Sequence, residues 1–480
     1  MSVYIIAIGG TGARFAEAVA HLAAAGLLVK DNDPQDLQIL FVDRDTGNGN
    51  LAAADKTLKI YQKCQEIVGG NKENLMPTKL EQLGVWSISH EIRLTDAFRY
   101  HSYGKDDPVK HLFDVFYTQE ERDMDLKDGF KGRPGVGAAF MSQLKKKGDW
   151  DHLMDRIEND SNGGRSPKVF LCGSIFGGTG ASGFPTLGRM IANDLGPDGK
   201  NVLDKVTLGG LLMLPYFQFT APRKSNDEEI YARSEDFILK TEAALHYYNT
   251  QELGYDAVYL LGMPKPTVVD EFSTGGRNQR NQAHFLELYG ALALRDYLFR
   301  SKSSSLEARI ISRRTPTSLI WDDIPRKDDV RRQLLNSARF AFAWRSSIHP
   351  DLNHARTSGR QQDYFWSMRF FNKQELNDNQ EIDKIEAIKD WCEDYLRWLG
   401  NIHRSNKLNN EIELFKTRAF FEDNGELKND RDEFPNLGMT PSRVKINKIL
   451  GDLNPKKISD PNRKTIGLAK ALYYTICKHQ

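Results

Sequence analysis

The sequence predicts an α/β fold built on a Rossmann-type parallel sheet. Three observations carry that expectation. Short runs of aliphatic and β-branched residues recur and read as strands buried on both faces. Helical patterns lie between them, as right-handed crossovers require. Glycine-rich junctions sit where strands pass into helices, at Gly9–Gly12, Gly132–Gly137 and Gly177–Gly183. A central long helix and a smaller second domain complete the expected fold.

The elements follow in order. Val3–Ile8 (VYIIAI) is the first strand, closed by Gly9 and Gly10. Arg14–Leu28 places Phe15, Val19, Leu22 and Ala23 at helical spacing. Leu37–Val42 (LQILFV) is the second strand and ends in Asp43. Residues 50–130 are mixed and polar and read only as helices and loops. Gly129–Gly137 is a glycine- and proline-rich loop opening onto a helix over Ala138–Lys145. Lys168–Ile175 (KVFLCGSI) is a strand that runs into Gly177-Gly178-Thr179-Gly180 and a helix through Leu187 and Met190. Val206–Leu214 and Ala257–Leu261 are further strands, with a helix over Tyr231–Tyr248 between them. Gln282–Phe299 is the long apolar helix. Beyond it come helical segments near Asp328–Trp344, Glu381–Leu399 and Ile466–Cys477. The expected division is 1–275 for the α/β domain, 276–300 for the central helix and 301–480 for the second domain and helical C-terminal region.

Composition excludes several function classes. Lys plus Arg number 66 and Asp plus Glu 65, so the chain of 480 residues carries a net charge of +1. That balance makes no case for a chain-wide nucleic-acid or membrane surface. Four cysteines lie far apart without a CxxC, which argues against a disulfide scaffold or a zinc ribbon. The N-terminus has no basic region before an apolar one, and a reducing, cytoplasmic setting is expected. The uncharged stretch Val169–Gly188 has the length of a membrane span, but its six glycines and Pro185 suit a strand and a glycine loop better. Local charge is uneven. Ser301–Ile348 holds ten Lys/Arg against five Asp/Glu, and Gln374–Leu396 holds eight acidic against two basic residues. Such runs are ordinarily solvated faces; complementary patches also steer subunit contacts.

The glycine junctions carry the chemistry. Free N–H groups at a helix start point at an anion, the helix dipole favours negative charge, and glycine lets the backbone approach. A Walker A string is absent. The dinucleotide fingerprint fails at Phe15, although Asp43 is placed for a ribose hydroxyl, so an NAD(P)-dependent oxidoreductase stays as a minor alternative. GxSxG fails at Phe184, which leaves Ser182 as a helix-start residue offering its hydroxyl to phosphate.

Phe176-Gly177-Gly178-Thr179-Gly180-Ala181-Ser182-Gly183 resembles the GGGTGSG signature of the tubulin/FtsZ superfamily, and the chain resembles its divergent bacterial branch. Gly9-Gly10-Thr11-Gly12-Ala13-Arg14 is similar to the family's first phosphate loop, with Arg14 where an amide side chain is usual. Asp43-Arg44-Asp45 resembles the loop on the ribose and Mg²⁺ side. Gly132-Arg133-Pro134-Gly135-Val136-Gly137 resembles the loop facing the γ-phosphate. Pro215-Tyr216-Phe217-Gln218-Phe219 resembles the segment near the ribose, and Asn278, Asn281 and Gln282 open the helix that reads the base.

The resemblance covers about residues 1–345. It implies a GTP/GDP- and Mg²⁺-binding protein, with Gly9, Gly10, Thr11, Gly12, Arg14, Asp43, Asp45, Pro134, Gly135, Gly137, Gly177, Gly178, Thr179, Gly180, Ser182, Asn278 and Asn281 around the nucleotide. It also implies head-to-tail assembly into filaments, in which one subunit's acidic loop completes its neighbour's hydrolytic site. Asp322 and Asp323 are the residues in question. Paired carboxylates can orient an attacking water, or they can cap the helix that follows Pro325. A GTPase with assembly-coupled turnover is the first expectation. A nucleotide sensor with little turnover is the alternative; it would signal to an operon-encoded partner through the C-terminal region. No direct nucleic-acid partner and no membrane span are expected.

Overall fold

The computed structural model describes residues 2–30, 33–69, 75–86, 92–127, 129–142, 148–219, 236–250, 254–263, 265–269, 276–278, 281–300, 321–408, 445–458 and 463–479. Six parallel strands form one sheet: β1 (Ser2–Ile8), β2 (Asp36–Val42), β3 (Lys79–Trp86), β4 (Lys168–Ser174), β5 (Thr207–Met213) and β6 (Ala257–Leu261). Their spatial order is 3-2-1-4-5-6. The order reverses between β1 and β4, and ligands of open α/β sheets bind outside the carboxyl ends of the strands at that switch point. β1, β2, β4 and β5 are buried along nearly their whole length, which is why they are legible as continuous apolar runs.

β3 is the strand that periodicity did not reveal. Its sequence, KLEQLGVW, is half polar because it is an edge strand and mostly half-buried. Its register with β2 also slips between Ile39 and Leu40, beside Gly84 at φ +143°.

The helices that matter for the site are α1 (Gly9–Ala24), α2 (Gly49–Val68), α3 (Pro134–Ser142), α4 (Asp149–Asn162), α5 (Gly178–Leu195), α6 (Phe237–Asn249) and the central α7 (Phe285–Phe299). Both α1 and α5 begin inside the glycine runs, earlier than apolar spacing alone suggests. Residues 231–235 of the expected Tyr231–Tyr248 helix lie outside the described residues.

α7 crosses the sheet with Gly290 over Leu211 and Phe15, where a Cβ would stand 2.8 Å and 3.5 Å from their side chains. Phe15, which breaks the dinucleotide fingerprint, therefore fills the space between α1 and α7 and stacks on Phe170 at 6.0 Å. At the far end of α7, Lys168 Nζ donates to the carbonyls of Tyr297 (2.9 Å), Leu298 (2.9 Å) and Arg300 (3.2 Å). A lysine there satisfies orphan carbonyls and suits the negative end of the helix dipole.

The described part of the second half is helical: α8 (Lys327–Ala343), a π-helical turn (Trp344–Ile348), α9 (His349–Ser358), α10 (Asn379–Leu408) and α11 (Lys464–Lys478). α10 buries Ile385, Ile388, Trp391, Cys392, Tyr395, Leu396 and Leu399, the stripe expected of an amphipathic helix. Each such side chain contributes roughly 1.5–3 kcal/mol by leaving water. The stripe packs on the sheet half: His21 of α1 stacks on Trp398 at 4.6 Å, and Thr57 of α2 donates to Asp394 at 2.7 Å. The acidic run is thus partly internal, since Glu381 is also buried and accepts from the Thr465 N–H at 3.0 Å. Of the basic run, residues 301–320 lie outside the described residues. No described helix is long and apolar enough to cross a membrane, and Val169–Gly188 divides between β4, a loop and α5.

Candidate functional site

The glycine junctions converge at the switch point. Gly9 has φ +68°, a left-handed conformation that favours glycine, and α1 starts there directly from β1. A Cβ on Gly9 would stand 3.3 Å from Thr179 Cβ, so the first and third junctions touch. A Cβ on Gly178 would lie 2.8 Å from Phe130 and 3.3 Å from the Gly132 nitrogen, and one on Gly137 would overlap the Ser182 hydroxyl. The second junction therefore closes on the third. Gly12 lets α1 lie on the strands, since a Cβ there would sit 2.6 Å from the Ala7 carbonyl carbon and 2.8 Å from the Cys172 oxygen.

The helix starts are chemically open. Neither Ile8 before α1 nor Gly177 before α5 provides a side-chain cap, and neither helix has an acidic residue in its first turn. The first four N–H groups of each helix have no partner within the helix. Gly10, Thr11, Gly177 and Thr179 are half-buried, and Gly135 at the start of α3 is exposed. Two helix dipoles and their free donors thus meet at one place, which is the chemistry that holds phosphate. Phe176, in place of a signature glycine, packs on Phe237 at 4.7 Å and Phe217 at 5.4 Å and anchors the third loop to α6. Lys240 of α6 donates to the Gly132 carbonyl at 3.2 Å, and burial lowers its pKa.

Two expected phosphate contacts are corrected. Arg14 is buried and turned inward: its guanidinium is ion-paired with Glu287 and donates to the Tyr216 hydroxyl, which in turn donates to Glu287 Oε1 at 2.9 Å. Burial pushes the Glu287 carboxyl up, and Arg14 opposes that shift. Glu287 Oε2 accepts from the His284 N–H at 2.9 Å, and His284 caps α7 by accepting from the Leu286 N–H at 3.1 Å. This histidine is packed, with its pKa lowered to about 3 by burial and by Arg14. Ser182 is the second correction. Its hydroxyl donates back along α5 to the Gly178 carbonyl at 2.7 Å and is buried.

The β2–α2 loop forms the third wall. Asp45 accepts from the Gly276 N–H at 2.7 Å and the Gly47 N–H at 3.0 Å. Asp43 is buried with its pKa raised to about 7 by desolvation, which hydrogen bonds from the Asp45 and Arg44 backbone oppose. Asn281 donates its N–H to Asn50 at 2.9 Å, and Asn278 closes the 3₁₀ turn that begins at Gly276. Asp45 and Asn50, after β2, are thus bonded to Gly276 and Asn281, ahead of α7. Sequence reasoning missed Asn48 and Asn50. A Cβ on Gly10 would lie 3.2 Å from Asn50 Nδ2 and 3.5 Å from Asn48 Nδ2. The Asn-Gly-Asn string after Asp43-Arg44-Asp45 was the available signal.

Among the described residues no group of His, Cys, Asp and Glu could hold a metal.

Asp322 and Asp323 lie in the 3₁₀ turn Trp321–Asp323. Asp323 is buried, and its carbonyl accepts from Tyr289, four residues into α7, at 3.4 Å. The pair thus lies alongside the first half of the central helix. Asp322 is ion-paired with Lys327. Neither caps α8, whose N-cap is Arg326 in a left-handed conformation (φ 54°).

No protein-family model and no curated protein matches the chain. Among solved structures it is similar to CetZ from Methanosaeta thermophila strain DSM 6194, at 14% identity and a TM-score of 0.28, covering 64% of this chain and 56% of that one. It is also similar to CetZ2 from Haloferax volcanii, a GTPγS-bound protofilament, at 15% identity and a TM-score of 0.29, covering 62% of this chain and 58% of that one. The chain thus spans a little over half the length of either neighbour.

Proposed function

We propose that the chain binds a guanine nucleotide, with its phosphates over the first turns of α1 and α5. The observation that carries this is the meeting of two uncapped, glycine-built helix starts at the switch point of the sheet. Gly9, Gly10, Thr11 and Gly12 cradle one side, and Gly177, Gly178, Thr179 and Gly180 the other. Pro134, Gly135 and Gly137 close over the terminal phosphate. Asp43 hydrogen-bonds a ribose hydroxyl, and Asn278 or Asn281 reads the base. Guanine and head-to-tail self-assembly come from the motif resemblance.

On turnover, the structure favours the second reading, a nucleotide sensor that hydrolyses slowly. The carboxylates of an assembly-completed site have to be presented to a neighbour, and of this pair Asp323 is buried, which leaves the half-exposed Asp322 to act alone. The test is phosphate release measured against protein concentration, beside equilibrium binding of GTP. Binding with flat, low release supports the sensor. Release that rises more than linearly with concentration supports the filament GTPase. Absence of GTP binding overturns both.

A further inference from the structure

We propose that Asn50 is a two-sided bracket: its amide nitrogen donates to a phosphate oxygen seated over Gly10, while its amide oxygen holds the chain entering the central helix. The inference rests on the nucleotide-binding reading and names a residue and a coupling beyond it.

The geometry leaves the amide little choice. Asn50 is the second residue of α2, and its own N–H is taken by the Asn48 side chain at 2.8 Å. Asn50 Oδ1 accepts from the Asn281 N–H at 2.9 Å, which fixes which end of the amide is oxygen. Nδ2 is therefore turned to Gly10, 3.2 Å from where a Cβ would be. The residue is only 4% exposed, yet among the described residues no partner meets that nitrogen. Unlike the fully enclosed unpaired atoms elsewhere among the described residues, this nitrogen keeps access to solvent, as a group that meets a ligand must. It faces the half-buried first turn of α1, where the other open groups are also N–H donors. Backbone and amide donors converge on this turn, and such a set suits an anionic oxygen, phosphate being the one the cradle fits.

The coupling follows from the other end of the same side chain. Asn50 and Asp45 together hold Asn281 and Gly276, which precede α7. A ligand that fixes Asn50 Nδ2 also fixes its oxygen, and so steadies the approach to the central helix.

The experiment is calorimetric titration of the full chain with GTP, GDP and inorganic pyrophosphate, beside hydrogen exchange at the Asn281 amide. Asn50→Asp keeps the acceptor for Asn281 but replaces the donor, and Asn50→Leu removes both. Asn50→Asp is expected to weaken all three ligands about tenfold or more while leaving Asn281 exchange in the free protein unchanged. Asn50→Leu is expected to weaken binding similarly and to speed that exchange. If Asn50→Leu does not fold, the Asn50→Asp result decides. Wild-type affinity in Asn50→Asp overturns the inference alone. A wild-type protein that binds none of the three overturns the nucleotide-binding reading with it.

Discussion

The glycine cradle and the turn carrying Asp322 and Asp323 are built in opposite ways. In the cradle the open groups are backbone N–H donors, and Arg14, in the second turn of α1, is turned into the core. In the acidic turn the charged groups are already matched or covered. Binding a phosphate needs only donors in the right place, so a backbone can do it. Activating a water needs a carboxylate with an unengaged oxygen facing the substrate. The contrast teaches that binding and turnover are separable in this chain, and that the first is far better provided for than the second.

The largest effect that tests this contrast should come from the cradle's inner wall. Glu287→Ala leaves the Arg14 guanidinium buried without its carboxylate, and such a loss typically costs about 3–5 kcal/mol. Urea unfolding should show it. A variant within about 1 kcal/mol of wild type would mean that the ion pair does not brace the cradle.

The next effect concerns Asp43, whose folded pKa of about 7 lies above the ordinary 3.8. The unfolded chain gives up this proton first as pH rises. The stability that the protonated group contributes is therefore full below 3.8 and is lost as pH climbs through about 7. Asp43→Asn should remove that loss, which is on the order of a few kcal/mol. Unfolding curves at about pH 4.5 and about pH 7.5 would check it. An unchanged pH slope in the variant would mean that Asp43 is an ordinary ionised carboxylate.

The smallest effect belongs to the acidic turn. Asp322 is half exposed, and its pair with Lys327 is worth about 0–1 kcal/mol. Asp322→Ala should leave stability, nucleotide affinity and phosphate release close to wild type. A large fall in release alone would restore Asp322 to a catalytic role and erase the contrast.

Much of the fold was readable because buried parallel strands announce themselves. Val3–Ile8 and Leu37–Val42 are apolar on both faces, and the observed strands differ from the expected spans by a residue at the ends. β3 was invisible because an edge strand answers to water on one side and to a bulge at Gly84. The glycine loops were readable as loops, but their mutual contact depends on strand order, which no local pattern contains. Arg14 was misplaced for a related reason: the partner that turns it inward, Glu287, lies far along the chain. Asn50 escaped notice because asparagine near a helix start has an ordinary local explanation, and only the Asn281 N–H reveals its second use. The acidic pair was easy to find and hard to place, since its setting is made by Tyr289 and Lys327.

The fastening of α7 has a mechanical consequence. Lys168 grips its C-terminal carbonyls, Arg14 grips Glu287 near its start, and Arg295, three-quarters of the way along, is tied to the Leu27 carbonyl at 2.8 Å and to Asp329 at 2.6 Å. A rod pinned at both ends and again between them cannot slide lengthwise without several clamps letting go together. Whatever the nucleotide changes in this molecule is therefore expected to travel as a tilt or a release of the loop ahead of the rod. Axial sliding, like that of a piston, is the motion these clamps resist.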